Sequence, residues 1–272
     1  MSALVCGLDV HKDSTYATIL DYDGKIVNQR RMGNDSVLSY LSSYRIDKIG
    51  MESSNQVAPL YRELARRGYA VSVSHPKKTR YIAEAKIKSD RVDSKAIAEL
   101  VRLNALPEAY MPDQETAILR EKIRRRAFLV RERVRLRTKI KSILTYEGIK
   151  PPVDHGLFTE KGVEWLHSQA MEPVESYLRI IQPLDNEIKQ ISKHLKELAE
   201  DDEDVKLLMT VPGVGYYTPL LVKSEIGDIN RFSDGDRLCS YAGLVPSTHA
   251  SGRTVRHGSI TKEGSRWLRW VM

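Results

Sequence analysis

From residue 115 to residue 146 the sequence sustains one unbroken helical pattern, with Leu119, Ile123, Ala127, Val130, Val134 and Leu144 at helical spacings. Between Arg120 and Lys141 this stretch carries eleven Lys or Arg against only Glu121 and Glu132, a local net of +9. The chain as a whole has 43 basic and 36 acidic residues, a formal charge of +7, so the excess is concentrated in this one helix. Most charge runs are solvated faces, but a dense one-signed stripe repels itself along a helix and favours a polyanionic partner. Gly148, Pro151 and Pro152 end the helix. A short amphipathic piece over residues 160–171 follows, and then a second long helix over about residues 174–200. In it Leu184, Ile188, Ile191, Leu195 and Leu198 form a heptad seam. That seam fits either an antiparallel hairpin with the basic helix or the pairing of two subunits, since both require the same pattern.

The residues before this helical middle read differently. Residues 4–10, 15–20 and 25–30 are expected as short strands, with Asp23-Gly24 as a tight hairpin signal between the last two. A helix over 37–43, a strand over 46–51 ending in Glu52, a helix over 57–67 and a strand over 69–74 follow. Three meander strands and then alternating helices and strands predict a mixed sheet covered by helices, an α/β layer architecture. The expected organisation is an α/β domain over residues 1–110, a helical coiled-coil spacer over 111–200, and a mostly helical third domain over 201–272 that begins after the acidic linker 201–204.

A chain of 272 residues can bury one large or two modest cores, and 41% hydrophobic with 29% charged residues excludes a wholly disordered chain. Cys6 and Cys239 make neither a disulfide framework nor a paired metal-ligand spacing, so a reducing, cytoplasmic setting is expected. The N-terminus lacks the basic lead-in and cleavage pattern of a signal peptide. The longest uncharged stretch, residues 207–222, is too short for a membrane span and contains Pro212, Gly213, Gly215 and Pro219.

Four carboxylates stand where chain geometry places functional groups. Asp9 ends the first strand in Gly7-Leu8-Asp9-Val10-His11-Lys12, and Glu52 ends the fourth in Gly50-Met51-Glu52-Ser53-Ser54. Asp90 and Asp93, three apart, share one face at a helix start. Hard oxygen ligands clustered in this way suit two Mg²⁺ or Mn²⁺ ions, about 3.5–4 Å apart across a phosphodiester. Taken alone, Asp90 and Asp93 also suit a helix cap, and Asp9 a turn cap. Lys12, Lys77, Lys78, Arg80, Lys86 and Lys88 would line a phosphate approach, or serve only for solubility.

In the third region, Val211-Pro212-Gly213-Val214-Gly215 ahead of an apolar helix over 217–226 resembles a helix-hairpin-helix element, whose backbone N–H groups can hold a phosphate. Further on, a segment rich in Ser, Gly and His reads as a loop between basic segments, and its Ser247, Ser251, Ser259 and Ser265 are hydroxyl candidates among which spacing does not choose. No Gly-x-Ser-x-Gly elbow is present, so an acyl-transfer triad has no support.

Taken together, the Gly-Leu-Asp-Val-His-Lys, Met-Glu-Ser-Ser, Lys-Ser-Asp-Arg-Val-Asp-Ser-Lys, Val-Pro-Gly-Val-Gly, Ala-Gly-Leu-Val-Pro and Ile-Thr-Lys-Glu-Gly-Ser-Arg-Trp-Leu-Arg segments resemble the IS110 family of bacterial and archaeal insertion-sequence transposases, also described as bridge-RNA-guided recombinases. The resemblance covers essentially the whole chain. It implies a RuvC-like (RNase H-like) DEDD nuclease domain, with Asp9, Glu52, Asp90 and Asp93 matching the four acids that hold Mg²⁺ (or Mn²⁺), and a C-terminal transposase domain in which Ser251 matches the nucleophile. The implied reaction is a transesterification through a covalent phosphoserine. The implied partners are double-stranded donor and target DNA, a noncoding bridge RNA, and further copies of the chain in a dimer and a synaptic tetramer. Nucleic-acid contacts are then expected at Arg120, Lys122, Arg124, Arg125, Arg126, Arg131, Arg133, Arg135 and Arg137 of the basic helix, at Gly213 and Gly215, and at Arg253, Lys262 and Arg266. Because the sequence stops within an amphipathic helical pattern at Trp270-Val271-Met272, it is expected to be shorter than its relatives. Two rival functions share the acids: a metal-dependent nuclease or junction resolvase that uses water, and a noncatalytic nucleic-acid-binding remnant.

Overall fold

The structure is a computed structural model that describes residues 3–54, 56–75, 78–79, 89–251 and 254–272, without the side chains of residues 249–254. The described chain forms two compact units, Met1–Met111 and Pro112–Met272.

In the first unit β1 (Leu4–Val10), β2 (Ser14–Asp21) and β3 (Ile26–Gly33) form an antiparallel meander. The β2–β3 turn is held by the Asp21 carboxylate, which accepts from the Asp23 and Lys25 backbone N–H groups, while Gly24 takes the left-handed conformation (φ 84°) that favours glycine. After α1 (Val37–Ser42), β4 (Ile46–Glu52) lies parallel to β1, and after α2 (Val57–Arg66), β5 (Ala70–Ser74) lies parallel to β4. The sheet order is β3-β2-β1-β4-β5. The expected mixed α/β sheet is therefore present, with element ends within three residues of those expected.

Alternation along β1 sorts its side chains onto two faces. Cys6, Leu8 and Val10 join Ile19, Ile49, Met51, Leu41 and Leu64 in the core beneath α1 and α2. Val5 faces the other way, and with Leu20 it packs against Ile97, Ala98 and Val101 of α3 (Asp90–Arg102). On that second face the sheet presents Gly7 and Gly50, which are register partners in β1 and β4. A Cβ on Gly7 would land on the Ser94 carbonyl oxygen and the Ala98 nitrogen, and one on Gly50 would strike the side chains of Val101 and Ile97. The glycine floor lets the backbone of α3 lie directly on the sheet. A buried hydrogen bond between the Thr18 and Ser94 hydroxyls, 2.7 Å, pins the same turn of α3.

The second unit is built on a helical hairpin. The basic helix is α4 (Gln114–Tyr146), capped by Asp113, whose carboxylate accepts from the Thr116 N–H at 2.8 Å. A short α5 (Glu160–Ser168) leads into α6 (Glu172–Glu200). The seam of α6 is buried against α4 of the same chain: Ile191, Leu195 and Ala199 with Ile123 and Ala127, and Val174, Leu178 and Ile181 with Ile140 and Leu144. Of the expected seam residues, Leu184 is only partly buried and Leu198 is 40% exposed, its place taken by Ala199. The cause is the drift of a straight α-helix against a 3.5-residue repeat. Between the two apolar clusters Asp185 receives Arg133 at 2.6 Å and Arg137 at 3.2 Å.

Of the expected acidic linker 201–204, Asp201 and Asp202 form the break after α6, while Glu203 and Asp204 begin α7 (Glu203–Met209): the Asp202 carboxylate accepts from the Asp204 and Val205 N–H groups to cap it, and also takes Lys223. A turn with Gly213 at φ 84° connects α7 to α8 (Tyr217–Ile226). After α9 (Gly235–Ala242), the segment expected as a loop is in fact a hairpin of β6 (Pro246–Ser251) and β7 (Thr254–Ile260), and α10 (Arg266–Val271) follows. Residues 255–260 of β7 are all exposed, so no buried face imposes there the alternation by which a strand is recognised.

The two glycines differ in what a methyl would meet, which makes their contributions separable. Gly7→Ala, confronting backbone that cannot rotate away, should destabilise the first unit by at least the upper part of the roughly 1–3 kcal/mol typical of overpacking, whereas Gly50→Ala, facing side chains, should cost less. Urea unfolding of the two variants against wild type reads the difference.

Candidate functional site

The close approach of α3 determines where the acids fall. In β1 and β4 alike the acid stands two residues beyond the floor glycine, Asp9 after Gly7 and Glu52 after Gly50, so both occupy the α3 face at the carboxyl ends of adjacent parallel strands. Ser94 and Ala98 lie over Gly7 while Val101 packs with Val5, so α3 runs against the direction of β1 and its first turn, with Asp90 and Asp93, arrives beside Asp9. The Ser89 hydroxyl caps that turn by accepting from the Val92 N–H, and the positive end of the helix dipole favours the two carboxylates.

Asp9 is buried and Asp90 half-exposed, and between them lies His11, whose Nε2 is 3.1 Å from Asp9 Oδ2 and 3.4 Å from Asp90 Oδ1. Burial pushes the Asp9 carboxyl above the ordinary carboxylate range; His11 draws it back, while the charges of Asp90 and Asp93 raise it further. A carboxylate held near two like charges is a poor place for an isolated anion and a good one for a divalent cation, whose field removes the repulsion. A carboxylate oxygen from each of Asp9 and Asp90 and a nitrogen from His11 lie within 4.8 Å of one another and fit such an ion chemically, with Asp93 three residues along α3 and Glu52 at the end of the neighbouring strand.

Sequence patterns alone do not single out His11. A signal for the site that they do contain is the repeated Gly-x-acid spacing of Gly7-Leu8-Asp9 and Gly50-Met51-Glu52: glycine where a helix touches the sheet, acid one pleat further on. Its meaning emerges only with the helix in place. Among the expected approach residues Lys12 and Lys78 are exposed, and Lys77, Arg80, Lys86 and Lys88 fall outside the described residues.

The basic helix divides its charges. Arg120 donates to the Ser224 carbonyl, Arg124 makes a two-point contact with Glu225 at 2.8 Å on both sides, Arg126 donates to the Ser192 hydroxyl, and Arg133 and Arg137 hold Asp185. Glu225, with a side chain only 3% exposed, also accepts from the Ser265 hydroxyl at 2.9 Å. Its sequence signal is that of a lone acid within the apolar run 219–226. Arg125, Arg131, Arg135, Lys139 and Lys141 are exposed beside Phe128 and Val134, with Lys122 half-buried; Arg135 pairs with Glu132 at 2.7 Å, Arg125 with Glu121 at 3.7 Å, and Arg131 rests over the Trp267 ring at 5.0 Å.

In the last part of the chain Gly213 and Gly215 have open space where a side chain would be, and Lys262 and Arg266 are exposed. The backbone of Ser251 pairs with Thr254 as the last rung of the β6–β7 hairpin, and Arg253 lies outside the described residues. Among the described residues no helix is long and apolar enough to cross a membrane.

An α/β sheet with Asp9 and Glu52 at adjacent strand ends and the Asp90–Asp93 helix start beside Asp9, in a chain that also carries a cation-rich helical unit, has the makings of a nucleic-acid-processing protein. Residues 6–147 match the DEDD transposase family of IS110 elements, and residues 205–272 match the family described as Transposase IS116/IS110/IS902. The chain belongs to the IS110 family of transposases. It is 26% identical to the transposase for insertion sequence element IS1111A of Coxiella burnetii, over 98% of this chain and 75% of that one. It is 24% identical to the transposase for IS1328 of Yersinia enterocolitica, over 98% and 80%. Among solved structures, T. thermophilus RuvC in complex with a Holliday junction substrate aligns with 39% of this chain and 99% of that chain, at 12% identity and a TM-score of 0.33.

The raised Asp9 carboxyl has a thermodynamic consequence. A group whose folded pKa exceeds its unfolded one contributes stability that is fully present below the unfolded pKa, about 4, and lost as pH rises through the folded value. Without divalent cations Asp9→Asn should therefore be more stable than wild type at neutral pH, by a margin that shrinks as pH falls to about 4; urea titrations in EDTA across that range measure it.

Proposed function

We propose that the chain is the DNA transposase of an insertion sequence, working by metal-dependent transesterification. The observation that carries the reading is the convergence of Asp9 and Glu52 with the helix start bearing Asp90 and Asp93 on one face of a sheet, in a chain of a transposase family. Asp9, Glu52, Asp90 and Asp93 would hold Mg²⁺ or Mn²⁺, which when bound polarises the scissile phosphate and offsets charge on the entering and leaving oxygens. Ser251 supplies the nucleophile. Its Oγ forms a bond to phosphorus as the bond to a bridging DNA oxygen breaks, and that oxygen departs as a hydroxyl. A DNA hydroxyl then attacks the phosphoserine, re-forming a phosphodiester and releasing the serine, so each step conserves one phosphoester bond and needs no ATP.

Double-stranded donor and target DNA, and a noncoding bridge RNA that pairs with both, are the proposed partners, with sequence read by base pairing and the protein reading shape and backbone. Dimers, and a tetramer at synapsis, are the proposed assemblies, and the cytoplasm the proposed compartment. Of the cations expected to meet nucleic acid on this helix, Arg120, Arg124, Arg133 and Arg137 are engaged with neighbouring helices, so the exposed Arg125, Arg131 and Arg135, with the exposed Lys139 and Lys141 beside them, supply its phosphate contacts. Lys122, Arg126, Lys262, Arg266, Arg253 and the Gly213–Gly215 turn complete the proposed interface.

Ser251→Ala should abolish a detergent-stable protein–DNA adduct on a suicide substrate together with strand exchange; persistent strand cutting without an adduct would instead identify a hydrolytic nuclease. Asp9→Asn should abolish both adduct and cutting, and activity that survives it would indicate a noncatalytic role for the acids. On the basic helix, the triple change Arg125→Gln, Arg135→Gln and Lys139→Gln should flatten the dependence of log binding constant on log salt by about one unit for each phosphate no longer neutralised, with folding unchanged. Arg124→Gln should instead cost about 1.5–3 kcal/mol of stability, because it leaves the buried Glu225 with only the Ser265 hydroxyl and Arg120 at 4.0 Å.

A further inference from the structure

His11 approaches two carboxylates that come from different elements, Asp9 at the end of β1 and Asp90 at the start of α3. Its side chain is 49% exposed, so burial does not force it into this position. A neutral imidazole carries at most one hydrogen on Nε2, which can be aimed at one oxygen only. Nε2 nevertheless lies 3.1 Å from one carboxylate oxygen and 3.4 Å from the other, and one donor atom from each of the three residues falls within a mutual spacing of 4.8 Å. Donors bound to one ion at about 2.1 Å stand about 3.0 Å apart at a right angle and about 4.2 Å apart when opposite. The three groups are thus already near the spacing of ligands around a single cation.

Resting on the DEDD metal reading above, we propose that His11 is a direct nitrogen ligand of the divalent ion held by Asp9 and Asp90, and that it sets the site's preference for Mn²⁺ over Mg²⁺. Mg²⁺ is a hard ion that takes oxygen ligands and keeps its waters, whereas first-row transition ions gain from an imidazole. A neutral ligand suits this place for an electrostatic reason as well. Asp9 already stands near the charges of Asp90 and Asp93, and another carboxylate would add repulsion whenever the ion is absent, while imidazole adds a donor without adding charge.

The test uses the full chain loaded with Mn²⁺ and examined by pulsed electron paramagnetic resonance, in unlabelled and ¹⁵N-histidine forms, with calorimetric titrations of Mn²⁺ and Mg²⁺ alongside. Wild type should show a directly coupled nitrogen that changes with the label and disappears in His11→Gln. In that variant Mn²⁺ affinity should fall by about tenfold or more, while Mg²⁺ affinity shifts by less than about threefold. Mn²⁺ bound in wild type without nitrogen coupling, or coupling that survives His11→Gln, would overturn the ligand role while leaving the acid site intact. Failure of wild type to bind Mn²⁺, or binding that Asp9→Asn does not weaken, would overturn the metal reading and this inference with it. A wild-type spectrum without nitrogen coupling overturns the ligand role whether or not the variant folds, and His11→Asn, a second variant, assigns an observed coupling to His11 should His11→Gln fail to fold.

Discussion

The first unit depends on one contact, the seating of α3 on the glycine floor of β1 and β4. Gly7 and Gly50 are register partners, and the space each leaves is filled by Ser94 and Ala98 backbone in one case and by Ile97 and Val101 side chains in the other. A helix held this close, and running against the strands, delivers its first turn to the carboxyl ends of β1 and β4. The chemistry of the unit follows from that approach: with a bulkier residue at either position the helix would stand off, and Asp90 and Asp93 would no longer arrive beside Asp9.

The acids so gathered are in electrostatic tension. Asp9 is disfavoured as an anion by burial first and by its neighbours' charges second, with His11 only partly relieving it. Such a cluster is tolerable because it sits at a helix N-terminus and because a bound cation would reverse the sign of the local field. Stability and function therefore oppose each other here, as they commonly do where a protein holds like charges together for use.

The second unit handles an excess of positive charge in the opposite manner, by neutralising part of it inside the fold. Asp185 stands in the seam of α6 between two apolar clusters and receives two arginines of α4, and Glu225, buried beneath α4, receives Arg124 and the Ser265 hydroxyl that begins α10. A buried carboxylate with a forked guanidinium partner is costly to break and specific in geometry, which registers α4 against α6 and α8. The residual cations on the solvent face, interleaved with Phe128 and Val134, are a smaller and more oriented set than the local charge alone suggests.

Short-range patterns determined much of this protein. Alternation and turn chemistry locate β1 to β5, helical periodicity locates α4 and α6, and strand order places Asp9 and Glu52 side by side, because each of these is written in residues close together along the chain. The β6–β7 hairpin is not legible in that way, since residues 255–260 of β7 are all exposed and bury no face to enforce a pattern, and the acidic run 201–204 has the composition of a linker although the Asp202 carboxylate caps a helix. Tertiary structure alone decided that the α6 seam meets α4 of the same chain, that Ala199 rather than Leu198 lies in it, which arginines turn inward, and that His11 stands between Asp9 and Asp90. Those outcomes depend on contacts between residues distant in sequence, where packing and burial, rather than local preference, determine which side chain meets which.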